Sequence, residues 1–123
     1  MMLTAVVVPM TPAEFRKLAL RLPQATESSH MDHPDFRVAD KIFATLGYPD
    51  RRSGMVKLTA AQQVRAMAAH PRMFSRAAGA WGRRGSTIVT LPQATPAPLR
   101  AALRQAWENS APKKLLASTA RAE

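Results

Sequence analysis

The chain is 123 residues long, the size of one domain, and can bury roughly two-thirds of its unfolded surface without covalent staples. It has no cysteine, which excludes disulfides, thiolate metal sites and a cysteine nucleophile together and suits a reducing, cytoplasmic setting. Eighteen Lys and Arg against eight Asp and Glu leave a net charge of +10, a balance that favours polyanionic partners over acidic-metal chemistry.

Residues 1–9 are apolar but short, lack a charged lead and end at Pro9, so they read as an edge strand, a frayed arm or an extension ahead of a start at Met10. No apolar run approaches the ~18 residues of a membrane span. The first helix is announced by Thr11-Pro12-Ala13-Glu14, a capping box with proline at the first helical position. Phe15, Leu18, Ala19 and Leu22 then form one apolar stripe, and Pro23 closes the helix.

The period then changes. Thr26 to Met31 runs extended, His33-Pro34 reads as a turn, and Phe36 and Val38 alternate with Arg37. Ala39-Asp40 is a tight connection, after which Ile42, Ala44 and Leu46 alternate with Phe43 and Thr45. A cluster of turn formers at 47–54 precedes a short strand at 55–58. Thr59 to Gln62 is a second capping box, opening a helix with Val64, Met67 and Ala68 on one side and stopping at His70-Pro71. Residues 72–85 read as irregular and 81–85 as a turn. Ser86 to Leu91 is a β-branched strand. Thr95-Pro96 caps the last helix, whose apolar face is Leu99, Ala102, Leu103, Ala106 and Trp107. Pro112 breaks it ahead of a basic tail.

The predicted order is α-β-β-β-β-α-β-α. This is an α+β fold in which one antiparallel sheet of about five strands carries the N- and C-terminal helices on one face. The domain is expected over 10–117, with 118–123 as a tail, in a monomer.

Charge is unevenly distributed. Residues 1–59 carry +2, whereas residues 60–123 hold ten basic residues against Glu108 and Glu123. Thirteen of the eighteen cations are arginine, which forks onto phosphate, although arginine enrichment from a GC-rich genome would leave the same mark. Arg51-Arg52 and Arg83-Arg84 fall in two turns, with Lys57, Arg72 and Arg76 between them in sequence, and these seven are the candidate nucleic-acid contacts. No helix rich in Asn, Gln and Arg offers base readout, so such binding would be phosphate-driven and weakly selective.

Other chemistry is sparse. His30, Asp32 and His33 suggest metal ligands, but strand alternation sends His33 to the opposite face from the other two, so no metal or cofactor is expected. Glu27, His30 and Lys41 could converge across paired strands as the seed of a small-molecule pocket, or form an ordinary charge pair beside a histidine. No nucleophile elbow, P-loop or dinucleotide fingerprint is present, and no catalytic residue is assigned. Trp107 belongs to the core stripe, while Trp81 either stacks on a base or, the favoured reading, pins an irregular segment to the core. A third class, a protein-interaction adaptor using an open sheet face, would require an exposed apolar patch.

An ordered series of residues carries a family resemblance over about 10–117. It comprises Phe15, Leu22-Pro23, Glu27 with His30, Phe36-Arg37-Val38, Lys41-Ile42-Phe43-Ala44 and Val56-Lys57-Leu58, followed by His70-Pro71, Phe74, Trp81-Gly82, Gly85, Val89, Leu91 and Ala106-Trp107. The series resembles the MmcQ/YjbR family. That resemblance implies a CyaY-like α+β fold and a DNA-binding role through hairpins arranged as a double wing around a helix, with no enzymatic activity. One departure stands out: Ser86 follows Gly85 where relatives carry an aromatic, so any stacking contact made there is missing. Frataxin-type iron handling, which relies on acidic surfaces, does not suit this charge.

Overall fold

The computed structural model describes residues 10–122, so the reading of residues 1–9 as an arm or strand lies outside the described residues. Helix α1 spans Pro12–Leu20. The Thr11 hydroxyl accepts from the Glu14 N–H at 3.1 Å and the Glu14 carboxylate accepts from the Thr11 N–H at 3.4 Å, which closes the predicted box. Phe15 and Ala19 are its buried residues.

Strands β1 (Thr26–His30) and β2 (His33–Val38) form a hairpin. Its turn is Met31-Asp32, with φ of 49° and 64°, and not the expected His33-Pro34. Two-residue turns with both central residues left-handed match strand twist, and this one lets Pro34 join the ladder opposite Ser29. Ala39-Asp40, with φ of 48° and 64°, makes the same kind of link to β3 (Lys41–Leu46). A bulge at Phe36/Arg37 breaks the expected alternation of β3, so Phe43 and Ala44 are both buried.

Strand β4 (Ser53–Lys57) is followed by helix α2 (Ala60–Ala69), whose capping box forms between Thr59 and Gln62 as the sequence requires. The face of α2 differs from expectation. Val64 is 54% exposed, and the residue turned fully inward is Gln63. Its amide nitrogen donates to the carbonyls of Gly82 and Ser86, both at 3.0 Å, and its oxygen accepts from Arg76 Nε at 3.0 Å. A buried amide so fully partnered is tolerated where an unpartnered one would not be.

The stretch expected to be irregular contains two elements, β5 (Phe74–Arg76) and helix α3 (Gly79–Arg83). Both are too short for a periodic signal. Strand β6 (Ser86–Thr90) passes through a 3-10 turn at Leu91–Gln93 into α4 (Pro96–Ser110). All five predicted apolar positions of α4 are buried, and the Trp107 indole donates to the Pro23 carbonyl at 3.0 Å. The basic tail is helical as α5 (Lys113–Ala122), crossing the expected boundary at 117/118, and Leu115 and Leu116 pack at the core margin. Lys, Leu, Ala and Arg are strong helix formers, which accounts for helix in the tail.

Among the described residues the sheet has six strands, in keeping with the expected sheet of about five, in the order β1-β2-β3-β4-β6-β5, antiparallel throughout. The register sorts its two faces. Phe36, Ala44, Val56 and Thr87 stand in one row on the helix side. Gly54 lies beneath α1, where a Cβ would come within 2.7 Å of the Phe15 ring. Asp35, Thr45, Met55, Ile88 and Ser75 form a row on the opposite face. Helices α1, α2 and α4 all lie on the first side, as predicted for the terminal pair. Among the described residues, no helix is long and apolar enough to cross a membrane.

Candidate functional site

Among the described residues, no long helix lies on the second sheet face. Two structures rim it: the β1–β2 turn with the β3–β4 turn on one side, and the segment 77–85 containing α3 on the other. Gly85 allows that segment to dock, because its φ is +122° and any Cβ would lie 2.0 Å from the Leu58 carbonyl oxygen. Gln63 fixes it from below through Gly82 and Ser86.

Between the rims is a cleft of about 440 Å³ lined by His30, Met31, His33, Thr45, Tyr48 and Trp81, with Ala77 and Ala78. Met31, Trp81 and Tyr48 are 86%, 65% and 46% exposed, so three large apolar side chains gather at one mouth. Trp81 therefore does not pin the segment to the core, contrary to the favoured expectation. The docking is done by Gln63, and the indole is left outward with Lys57 Nζ 6.0 Å from its ring centroid. Ser86, at the position where an aromatic was expected to matter, is buried beside Lys57 in the ladder.

A charged relay forms one wall. Asp35 is fully buried. Its Oδ1 accepts from Arg37 Nε at 2.7 Å, and its Oδ2 meets Arg37 Nη2 at 3.0 Å and His30 Nδ1 at 2.7 Å. The Arg37 hydrogen bonds outweigh the cost of burial and, with His30, hold the Asp35 carboxyl below its ordinary range. Arg37 is raised in turn by the same bond. An ionised carboxylate only accepts, so Nδ1 of His30 carries a proton and donates to Asp35. Thr45, opposite Asp35 in the ladder, is 7% exposed and its buried hydroxyl has no partner among the described residues.

The three residues expected to converge do not. Glu27 turns to the helix side and binds Arg16 Nε at 2.9 Å. Lys41 pairs with Val38 at the start of β3. Of the three, only His30 lines the cleft. Thr45 and Tyr48 were not singled out in the sequence, whereas Asp35 and Arg37, two apart on a strand, carry a legible signal of a same-face ion pair. Among the described residues, no three His, Asp or Glu side chains gather to hold a metal ion.

The seven candidate cations fall into two groups and a remainder. Arg51 and Arg52 lie exposed in the β3–β4 turn, shaped by Asp50 Oδ1, which accepts from the Arg52 N–H at 2.8 Å. The Leu91 N–H donates to the Arg52 carbonyl and the Thr90 N–H to that of Met73, so Arg72 belongs to the same end of the sheet. A hollow of about 670 Å³ beside Arg51 and Arg52 is floored by Ser53, Ser75, Ile88 and Thr90. Lys57, Arg83 and Arg84 mark the opposite end, around α3. Arg76 faces the helix layer, on Gln63. The predicted stripe is thus two clusters across one bare face.

The YjbR family model matches residues 20–109. The crystal structure of Deinococcus radiodurans protein DR2400, with family-model domain DUF419, superposes with a TM-score of 0.66 at 20% identity, covering 80% of this chain and 76% of that one. That likeness shows a shared fold. No curated protein matches the chain. The family match spans most of the sequence, and the chain belongs to the YjbR family.

Proposed function

We propose that this YjbR-family protein binds single-stranded nucleic acid, DNA in the first instance, across the bare face of its sheet without acting as an enzyme. The observation that carries the reading is the placement of Arg51, Arg52 and Arg72 at one end of that face and Lys57, Arg83 and Arg84 at the other. Among the described residues no carboxylate forms an ion pair with any of them. Strands of five or six residues put the two clusters roughly 15–20 Å apart, a span that several nucleotides bridge. The concave rim and the outward Trp81 suit a flexible single strand with unstacked bases better than a rigid duplex.

The test is fluorescence anisotropy of a labelled 20-nucleotide single strand at several salt concentrations. Four phosphate contacts give a slope of log K against log salt of about −3. Arg51→Ala/Arg52→Ala and Arg83→Ala/Arg84→Ala should each flatten it by about 1.4. Affinity no tighter than ~10⁻⁴ M at physiological salt would overturn the reading.

A further inference from the structure

The cleft between the hairpin tip and α3 presents mostly carbon. Met31, Tyr48 and Trp81 line it, all three exposed, together with Ala77 and Ala78. Thr45 lines it too, but its hydroxyl oxygen is sealed, so the atoms it turns to the cleft are carbon. The remaining lining residues are His30, whose Nδ1 is engaged by Asp35 at 2.7 Å, and His33, whose ring meets Tyr48 edge-on at 6.4 Å between centroids. Among the described residues no Asp or Glu lines the cleft. Asp32 shares the turn with Met31 without lining it, and Asp35 is fully buried and held by Arg37.

The α3 side of the mouth is positively charged. Lys57 lies on this sheet face, two residues after Met55, with its Nζ 6.0 Å from the Trp81 ring centroid. Arg84 follows Trp81 by three residues at the end of α3, a spacing that keeps both on one side of a helical turn, and it is exposed. Among the described residues neither cation forms an ion pair with a carboxylate.

These features select among occupants. A cationic ligand seeking the aromatic wall is opposed by Lys57, already beside the indole. A nucleobase inside the cleft would set its polar edges against carbon on the α3 side and lose their water without replacement. Stacking on the outward face of the indole does not bring a base into the cleft. Small-molecule sites enclose most of their ligand, whereas Met31 and Trp81 stand out past this mouth and need a larger surface to cover them. Trp, Tyr and Met are the side chains enriched at protein interfaces, and a flexible Met adapts to the shape of what it meets. Charge completes the choice, because carboxylates beside an apolar anchor would meet Lys57 and Arg84 on a protein of net charge +10.

We infer that this cleft docks an acidic peptide segment of a partner protein, which inserts one large apolar side chain among Trp81, Tyr48 and Met31 and sets its carboxylates against Lys57 and Arg84. The inference goes beyond the phosphate-gripping reading and does not rest on it, since it stands or falls on peptide binding alone. The Gln63 bonds to the carbonyls of Gly82 and Ser86 hold α3, and with it Trp81, against the strands. The cleft is thereby formed before a partner arrives, which spares the cost of ordering it on binding.

The experiment titrates the uniformly ¹⁵N-labelled full chain with synthetic peptides, acetylated and amidated, and follows amide and indole shifts. The peptide DEDLFDED carries both charge and anchor, DEDSSDED the charge alone and NQNLFNQN the anchor alone. DEDLFDED should saturate with a Kd at or below ~100 μM, with shifts concentrated at Met31, Tyr48, residues 77–84 and the Trp81 indole. Each of the other peptides should bind at least ~10-fold more weakly. Trp81→Ala should weaken DEDLFDED ~10-fold and leave the spectrum folded, since the indole is exposed. Lys57→Gln/Arg84→Gln should weaken it ~5-fold and reduce its salt dependence. No saturable shift with DEDLFDED up to ~1 mM, equal affinity for either control peptide, or an unchanged Kd in Trp81→Ala overturns the inference. A thymidine 20-mer that shifts the cleft resonances where DEDLFDED does not would also overturn it and give the cleft to nucleic acid. Arg51→Ala/Arg52→Ala, roughly 15–20 Å away and beyond the Debye length, should leave the peptide Kd unchanged while flattening the single-strand salt slope. Failure of the phosphate reading and failure of this one are thus separately visible.

Discussion

Asp35 and Thr45 stand opposite each other in the ladder between β2 and β3, on the same sheet face, and their side chains have contrasting fates. The Asp35 carboxylate is sealed from solvent with both oxygens engaged by Arg37 and His30. The Thr45 hydroxyl, almost as buried, engages nothing in the described structure. Two neighbours of similar burial thus make opposite contributions to stability.

Thr45→Val is expected to raise stability by about 1 kcal/mol, because it deletes an unsatisfied hydroxyl and keeps the branched shape. Thermal unfolding would show this as a rise in Tm of roughly 4 °C. A fall in Tm would mean that the hydroxyl is satisfied after all.

Asp35→Asn is expected to lose on the order of 2 kcal/mol at neutral pH, as charge-assisted bonds to Arg37 and His30 are weakened. The carboxyl is depressed in the folded state from its ordinary 3.8, so its contribution is complete above about that pH. It is lost as pH falls through the lower folded value, where the wild-type group is itself protonated. Melts across pH 2.5–7 should therefore show the two proteins converging at the acid end; a pH-independent gap would refute the assignment.

Gln63→Leu should cost about 2 kcal/mol by stranding the Gly82 and Ser86 carbonyls. The more telling readout is hydrogen exchange. Amides of 79–86 should exchange faster while those of β2 and β3 keep their protection, since the clamp acts on α3 and leaves the central strands alone.

Arg76→Ala should leave the salt slope of nucleic-acid binding unchanged, unlike the Arg51/Arg52 and Arg83/Arg84 pairs, because its Nε is committed to Gln63 on the helix side. Anisotropy titrations of the three variants in parallel would check this. A flattened slope for Arg76→Ala would place the binding surface elsewhere.

Gly85→Ala is expected to destabilise by at least ~3 kcal/mol, since it combines a φ of +122° with a Cβ 2.0 Å from a backbone oxygen that cannot easily yield. Urea unfolding would measure it.

Much of the fold was legible because its signals are local. The Thr11 and Thr59 boxes, the stripe ending in Trp107 and the Ala39-Asp40 link each act within a few residues, and each is found as read. What escaped depends on partners distant in sequence. Strand β5 exists because β6 offers it an edge, and its three residues contain no pattern of their own. Gln63 is inside because Gly82, Ser86 and Arg76 come to meet it. The site divides in the same way. His30 was visible as chemistry, but its partner Asp35 lies across a hairpin turn, and the turn was placed two residues late. Glu27, His30 and Lys41 could converge only if their strands were neighbours, but β2 lies between the strands of Glu27 and Lys41, and the pleat turns Glu27 to the face opposite His30. The arginine pairs were readable as loop residues, and the strand order shows that their turns lie at opposite ends of the sheet.

Among the described residues the sheet has one bare face and two free margins, an invitation to templated growth, and its margins answer it. The outermost strand at one side, Thr26 to His30, is exposed at every position, polar throughout and interrupted by a charge at Glu27. The strand at the other side, Phe74 to Arg76, is three residues long. Neither offers an incoming chain enough matched backbone or apolar surface to add a further strand. The bare face can therefore remain uncovered in a crowded setting without seeding fibres, so the plain character of the two edge strands is a condition for keeping the central face open.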